Sequence, residues 1–386
     1  MQTQDLFSLP NRFKTTTSGE LGMKRKILSV MIAGLAATGA NAGTVTSSGD
    51  DVIVSTKGGF KVQTADKKNA FNIGGRIQWD WNNAEADSDT EADENNFHVR
   101  RARIFLKGTY DKNWDYKAQF NIGEEGSDSG DVEDLYIRYK GWGKAANVTI
   151  GRQKEPFGLE EQTSSKDISI LERSAMTEQY AFGRNEGIQL HGKGSNWTYG
   201  IGAFENESVE KKGAEDIAIT GRVTYAPVKE KGNVFHLGAA FSERSGSSSA
   251  VESAYALEIA GVASSFHYQG EFFDADLANG NSIDGWYGQV GWILTGESRP
   301  YKDGKFKIVK PSGKEGAWEV VARYEEGEGN FSDIELGRTD GEQLAIGVNY
   351  YPNSAIRIGA SWMTGEDDVT GEEGDEIRVR FQYVYK

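Results

Sequence analysis

The chain has 386 residues, 43 Lys and Arg against 58 Asp and Glu, a formal net charge of −15 and a mean hydropathy of −0.58. That acidity excludes a nucleic-acid binder, and the absence of Cys excludes disulfide staples and thiolate metal sites. No apolar run reaches the ~18 residues of a transmembrane helix, yet a membrane barrel stays open, because each of its strands shows only every second side chain to lipid.

The N-terminus reads as an export signal. Residues 1–22 lack signal-peptide logic and are read as a non-native or mis-assigned extension, with Met23 as the expected start. Lys24, Arg25 and Lys26 then precede the apolar run Ile27 to Ala37, and Ala40-Asn41-Ala42 has the small-x-small cleavage pattern. A signal peptide over 23–42 leaves a mature chain from Gly43. The leader carries five basic and two acidic residues, so the mature net charge is −18. Residues 43–69 form a polar, Lys-bearing lead, expected to be periplasmic.

From residue 70 onward the pattern has period two. In Phe71 to Asn82, Phe71, Ile73, Ile77, Trp79 and Trp81 alternate with Asn72, Arg76, Gln78, Asp80 and Asn82. That is a strand with one apolar and one polar face. About sixteen such segments follow one another, ending with Ile377/Val379/Phe381/Tyr383/Tyr385. Their polar positions hold Lys117, Gln119, Arg138, His267, Glu271, Glu319, Arg323, Arg357, Arg378 and Arg380. A dry core cannot hold so many charges, whereas a wet lumen can. Aromatics gather at segment ends, as an interfacial girdle requires. The connections alternate between long acidic runs, such as Asn83 to Asn95 and Gly365 to Glu376, and short turns that are often basic. The pattern predicts an all-β, 16-stranded antiparallel transmembrane barrel over 70–386, with long extracellular loops opposite short periplasmic turns. One connection on the short side, Thr295 to Lys314, is longer and Lys-rich.

Catalysis finds no support. The four His residues stand alone, and no HExxH, GxSxG or P-loop pattern occurs. Asp87 to Glu91 spaces its carboxylates like a calcium loop but lacks the glycine and the terminal glutamate of an EF-hand. No cofactor or metal is expected, and the acidic loops read as solvated.

Two stretches carry more. Around Arg100 and Arg101, Phe97 and Val99 share one parity whereas Ala102, Ile104 and Leu106 share the other, so the strand phase slips at the Arg pair, as at a bulge. Guanidinium groups grip oxyanions bidentately, which makes this pair, with Arg76, a candidate anion site. The second stretch, Gly151 to Arg173 (GRQKEPFGLEEQTSSKDISILER), breaks the alternation after the fifth strand. Its backbone groups need partners, so it is expected to fold into the water-filled interior.

With FNIGGRIQ, the Arg pair, that insertion, APVKEKGNVFHLG, ILTGESRPYKDGKFKIVKP and GAWEVVARY, the mature chain resembles the phosphate-selective porins O and P of bacterial outer membranes. The resemblance implies a homotrimer in contact with outer-membrane lipid and lipopolysaccharide. It also implies a third extracellular loop folded into the channel, about 153–184, and passive uptake of small anions such as phosphate. Arg76, Arg100, Arg101, Ser164, Ser165 and Arg173 match the constriction and arginine series, and Glu133 an acidic partner. Lys57, Lys67, Lys302, Lys305, Lys307 and Lys310 resemble a periplasmic basic cluster. Glu161 stands where the phosphate-gripping members are expected to carry lysine, and the hairpin Ser242 to Ser253 carries only Arg244. The expectation is therefore a porin of this kind with weakened phosphate specificity. The alternatives are a weakly selective or cation-preferring porin, or a structural or adhesive barrel with acidic cation-binding loops.

Overall fold

The computed structural model describes residues 43–47, 50–56, 59–86, 94–123, 131–206, 217–245, 251–329, 341–368, 371 and 373–385. The signal segment, Lys57, the candidate calcium run at Asp87 to Glu91 and most of the acidic loops lie outside the described residues.

Three short strands, β1 (Gly43–Ser47), β2 (Asp50–Ser55) and β3 (Phe60–Thr64), precede the barrel. They form an antiparallel meander that ends on β4 through Phe60 opposite Ile73 and Val62 opposite Phe71. The barrel strands are β4 (Ala70–Ala86), β5 (Glu94–Tyr110), β6 (Trp114–Gly123), β7 (Val132–Tyr139), β8 (Asn147–Lys154), β9 (Arg184–Lys193), β10 (Trp197–Glu205) and β11 (Ile217–Glu230). Then come β12 (Asn233–Arg244), β13 (Val251–Ala263), β14 (Phe266–Leu277), β15 (Ser282–Ile293), β16 (Ala317–Gly329), β17 (Gly341–Tyr351), β18 (Ile356–Asp367) and β19 (Glu373–Tyr385). Each pairs antiparallel with the next, and β19 returns to β4, from Tyr385 opposite Gly75 up to Gly374 opposite Ala86. The sixteen-stranded barrel expected from the alternation is thereby closed, with no free edge.

The polarity of each wall strand is the reverse of a soluble protein's. On β14, His267, Gln269 and Glu271 are buried inward, whereas Phe266, Tyr268 and Phe272 are exposed outward. Outward aromatics pair across strands at the turn end, Trp318 with Tyr350 at 4.6 Å and Trp114 with Tyr139 at 4.9 Å. Others mark the opposite end, as Trp286 with Tyr324 at 5.6 Å. Amphipathic rings at two levels define a lipid-facing band between two interfaces.

Two connections turn inward. Between β8 and β9, residues 155–183 carry the short helices α1 (Leu159–Gln162) and α2 (Ala175–Tyr180). Although most of this insertion is polar, it docks through apolar residues. Phe157, Met176 and Tyr180 pack on Phe273 and Tyr287, Leu159 on Ala260 and Phe306, and Ile170 on Val321 and Ala345. The Lys-rich connection between β15 and β16 also turns inward, rather than hanging below the rim. It buries Phe306, Ile308 and Val309 against Val262, Ile293 and Tyr351. Together the two segments fill the β12–β18 side of the barrel. The aqueous space, about 780 Å³, is left against β4–β11.

Candidate solute pathway

The loop 155–183 has a dry face and a wet face, and the dry face fixes its position. Gly158 adopts φ 68°, a left-handed conformation that glycine takes without steric penalty, and it aims the next two amides at Glu271. Leu159 N and Glu160 N donate to Glu271 Oε1 and Oε2 at 2.5 and 2.9 Å, and Tyr287 Oη adds a third bond. Ser174 caps α2, its Oγ accepting from Thr177 N at 2.8 Å. Three arginines then reach from the wall to loop carbonyls. Arg323 donates to Glu172 O and Arg173 O, Arg357 to Ile168 O and Ser169 O, and Arg380 to Leu171 O. All three are fully buried. Their charges are met by buried carboxylates or, for Arg357, by Asn349 Oδ1 at 2.8 Å and carbonyl dipoles.

The wet face lines the cavity together with β4–β11. Arg76 on β4 donates from Nη1 to Ser164 Oγ at 3.1 Å and, among the described residues, has no carboxylate within ion-pair distance. Ser165 is buried, and its carbonyl oxygen accepts from Gln78. Glu161 does not stand alone. Lys154 Nζ lies 2.5 Å from Oε1 and Arg173 Nε 3.2 Å from Oε2. Burial by itself would raise the Glu161 carboxyl, but Lys154 and Arg173 hold it below the ordinary range, so it is charged at neutral pH. Arg173 also donates to Glu160 O, Thr163 O and Glu178 Oε1, which makes it a staple of its own loop as well as a lining residue.

Glu133 bridges Arg103 at 2.5 Å and Arg184 at 2.8 Å, while Asp134 takes Arg184 at 2.9 Å and Lys117 at 2.5 Å. Further toward the turn end, Arg138 bonds only the neutral Thr149 and Tyr136. Outward of the constriction, the expected phase slip is a bulge: Gln78 pairs Arg101 and Trp79 pairs Val99, leaving Arg100 between. Arg100 and Arg101 both reach Glu172, with Nε and Nη2 at 3.1 and 3.0 Å.

The lysine cluster is split. Lys67 occupies an exposed turn at φ 59°, and Lys302 and Lys310 are exposed. Lys307 approaches Asp167 at 3.6 Å, while Lys305 lines the cavity. Burial, then Lys307, Arg222 and Lys166, lower the Lys305 ammonium to about 7. Lys154, Arg184, Lys117, Asp134 and the Arg378/Arg380 pair belong to the site but were not singled out from sequence. Their shared signal is inward strand parity, and for Lys154 its position beside the insertion.

Buried His236 bonds Tyr301 at 2.6 Å and Glu258 at 3.0 Å, and His267 bonds Glu319 at 2.8 Å, so both are tied into the packing of the inward turn and wall. Among the described residues no group of three or more His, Asp or Glu could hold a metal ion.

A closed barrel with a lipid-facing outer band, an inward loop and a charged aqueous lumen is an outer-membrane porin, a channel for passive diffusion of small hydrophilic solutes. The family model described as phosphate-selective porin O and P matches residues 71–255 and 244–385, and the chain belongs to that family. It is 32% identical to Porin O of Pseudomonas aeruginosa over 425 residues, covering 90% of this chain and 95% of that protein. Its fold is similar to an anion-selective porin from Comamonas acidovorans (TM-score 0.56, 12% identity, 82% of this chain and 100% of that one). The outer membrane channel DcaP of Acinetobacter baumannii is also similar (TM-score 0.56, 12% identity, 84% and 99%).

Proposed function

We propose that this porin conducts small anions in preference to cations and holds phosphate weakly, at the Arg76–Ser164 constriction, without performing chemistry on it. The observation that carries this reading is the set of cations that face the water without a carboxylate. Arg76, Arg138 and Lys305 line the cavity and none is within ion-pair distance of an acid among the described residues. Around them, Arg103, Arg184, Lys117, Lys154 and Arg173 outnumber Glu133, Asp134 and Glu161. A low-dielectric wall strengthens their summed field, which raises the local anion concentration. The affinity is modest because most of these cations already hold an acid. The reading includes a homotrimer. Supporting it, the wall is lowest at β7 and β8, whose eight residues each contrast with seventeen in β4, and there Trp114, Ile137, Tyr139, Trp142, Val148 and Ile150 line an apolar outer groove. The rest of the outer band meets outer-membrane lipid and lipopolysaccharide.

Reversal potentials in a KCl gradient across planar bilayers test the charge preference. Chloride permeability above potassium is expected, with inorganic phosphate blocking chloride current at millimolar concentrations, on the order of a 4 kcal/mol interaction. A cation-preferring channel would overturn the reading.

A further inference from the structure

Four guanidinium groups converge on one carboxylate at the outer side of the constriction. Glu172 Oε1 lies 3.1 Å from Arg100 Nε, 3.1 Å from Arg101 Nη1 and 3.0 Å from Arg378 Nη1, and it also accepts from Arg380 Nη2. A carboxylate oxygen offers two lone pairs, so the three donors on Oε1, from Arg100, Arg101 and Arg380, already oversubscribe it, and Arg378 Nη1 adds an ion-pair contact without a hydrogen bond. Around the rest of the constriction no other carboxylate among the described residues gathers as many guanidinium groups: Glu161 has two cations, and Glu133 with Asp134 share three. The strand order explains the convergence. Arg100 and Arg101 come from β5 and Arg378 and Arg380 from β19, the two neighbours of β4, so all four face one patch of the wall. Arg380 also holds Asp80 at 2.6 Å and Arg378 holds Glu376 at 2.5 Å, both on the wall itself. Glu172 alone arrives from the loop, and it is delivered rather than floating, because Arg323 grips its carbonyl oxygen and Arg380 that of Leu171.

We propose that Glu172 is a built-in competitor for permeating oxyanions: its carboxylate occupies the position that a tetrahedral oxyanion would take in a four-arginine cradle, and so sets how tightly the outer entrance holds phosphate. Of the four arginines, Arg100 and Arg101 also line the water-filled cavity. A permeant therefore meets them while the loop's own anion is bonded to them. A tetrahedral oxyanion carries more acceptor oxygens than a carboxylate and matches guanidinium forks bidentately, so it serves an oversubscribed donor set better. Glu172 is then a specificity-determining residue that keeps the entrance weak enough for release, since conduction requires sites that let go. The inference rests on the anion-conducting reading above.

The test is phosphate block of chloride current through the full-length channel in planar bilayers. Glu172→Gln keeps the shape and the backbone anchors while removing the charge. It should lower the half-blocking concentration of inorganic phosphate about tenfold, the size of one charge-assisted hydrogen bond, and raise chloride-over-potassium permeability. Glu172→Asp, which keeps the charge but withdraws it by one methylene, should fall between. It also serves as the deciding variant if the glutamine form fails to insert. Glu315→Gln, at an exposed position of the β15–β16 connection away from the cavity, should change neither quantity. An unchanged or weaker block in both Glu172 variants would overturn the inference. If the wild-type channel prefers cations, the anion reading itself has failed. If the wild type prefers anions and Glu172 substitutions leave block unaltered, only the role of Glu172 has.

Discussion

The two faces of the inward loop use the same residue type for opposite purposes. On the dry face, Arg323, Arg357 and Arg380 are fully buried, and, Arg323 Nε apart, their donors end on loop carbonyls and on carboxylates or amides of the wall. On the wet face, Arg76 and Arg138 line the cavity and, among the described residues, hydrogen-bond only hydroxyl groups. A buried guanidinium must spend its donors inside the protein, because an unpaired one in a dry setting costs several kcal/mol. One at the water's edge can leave donors to solvent and exchange them for a passing anion. Inward parity therefore identifies an arginine as luminal, but its partners decide whether it anchors the loop or handles the solute.

The largest effect is expected where that division is broken on the dry side. Arg380→Met leaves the fully buried Asp80 with only the more distant Arg378, at 3.8 Å, and removes one of the guanidinium donors of Glu172. The expected loss is about 3–5 kcal/mol of barrel stability, as for breaking a buried pair, read as a lower melting temperature in detergent. The conductance should also grow noisier, since the grip on Leu171 O is lost. A normal melting curve would mean that the dry face is not load-sharing in this way. Next comes the wet side. Arg76→Gln should leave melting nearly unchanged but weaken phosphate block about tenfold, because a charge-assisted donor facing the permeant is worth roughly 1.5–3 kcal/mol. If Arg76→Gln instead unfolded the barrel with block intact, the two faces would have to be exchanged.

Glu161 sharpens the comparison further. From sequence it reads as an anion standing where a cation is expected, and so as the residue that weakens phosphate binding. In the structure it lies between Lys154 and Arg173, at 2.5 and 3.2 Å, so the cationic character at that point is supplied by a neighbour on β8. Glu161→Gln is expected to tighten phosphate block only about threefold, under 1 kcal/mol, because Lys154 stays bonded to Glu161 O and Arg173 to Glu160 O and Thr163 O. A change of tenfold or more would restore Glu161 to the deciding role.

What the sequence made legible was whatever depends on period two. Strand faces, the strand series and even the bulge at Arg100 follow from parity, because a residue's face is fixed by its register. Pairing among luminal charges was not legible. Lys154 and Glu161 are seven positions apart in a segment that obeys no period, and Arg380 meets Asp80 only because the barrel closes β19 on β4. The lead before residue 70 showed no usable alternation, yet β3 pairs with β4 beyond the point where β19 ends. The inward turn between β15 and β16 looked basic because its lysines are conspicuous. Its burial depends instead on Phe306, Ile308 and Val309, spaced among those lysines.

That turn carries the smallest predicted effect, and it comes from titration. Burial and three neighbouring cations bring the Lys305 ammonium down to about 7, so it is charged below that pH and neutral above it. Asp303 opposes the shift, but it is itself paired with Lys193 at 2.7 Å and does not hold Lys305 charged. Anion preference should therefore be higher at pH 6 and fall as pH rises through about 7 toward 8. One unit charge acting through water at about 9 Å contributes roughly 0.5 kcal/mol, so the chloride-over-potassium permeability ratio should drop about twofold across the step. Lys305→Gln removes the titrating charge from the cavity wall without touching the dry face of the loop. It should hold the ratio at its high-pH value throughout, and a step that persists in Lys305→Gln would assign the titration to another luminal group and make Lys305 part of the packing that seats the turn.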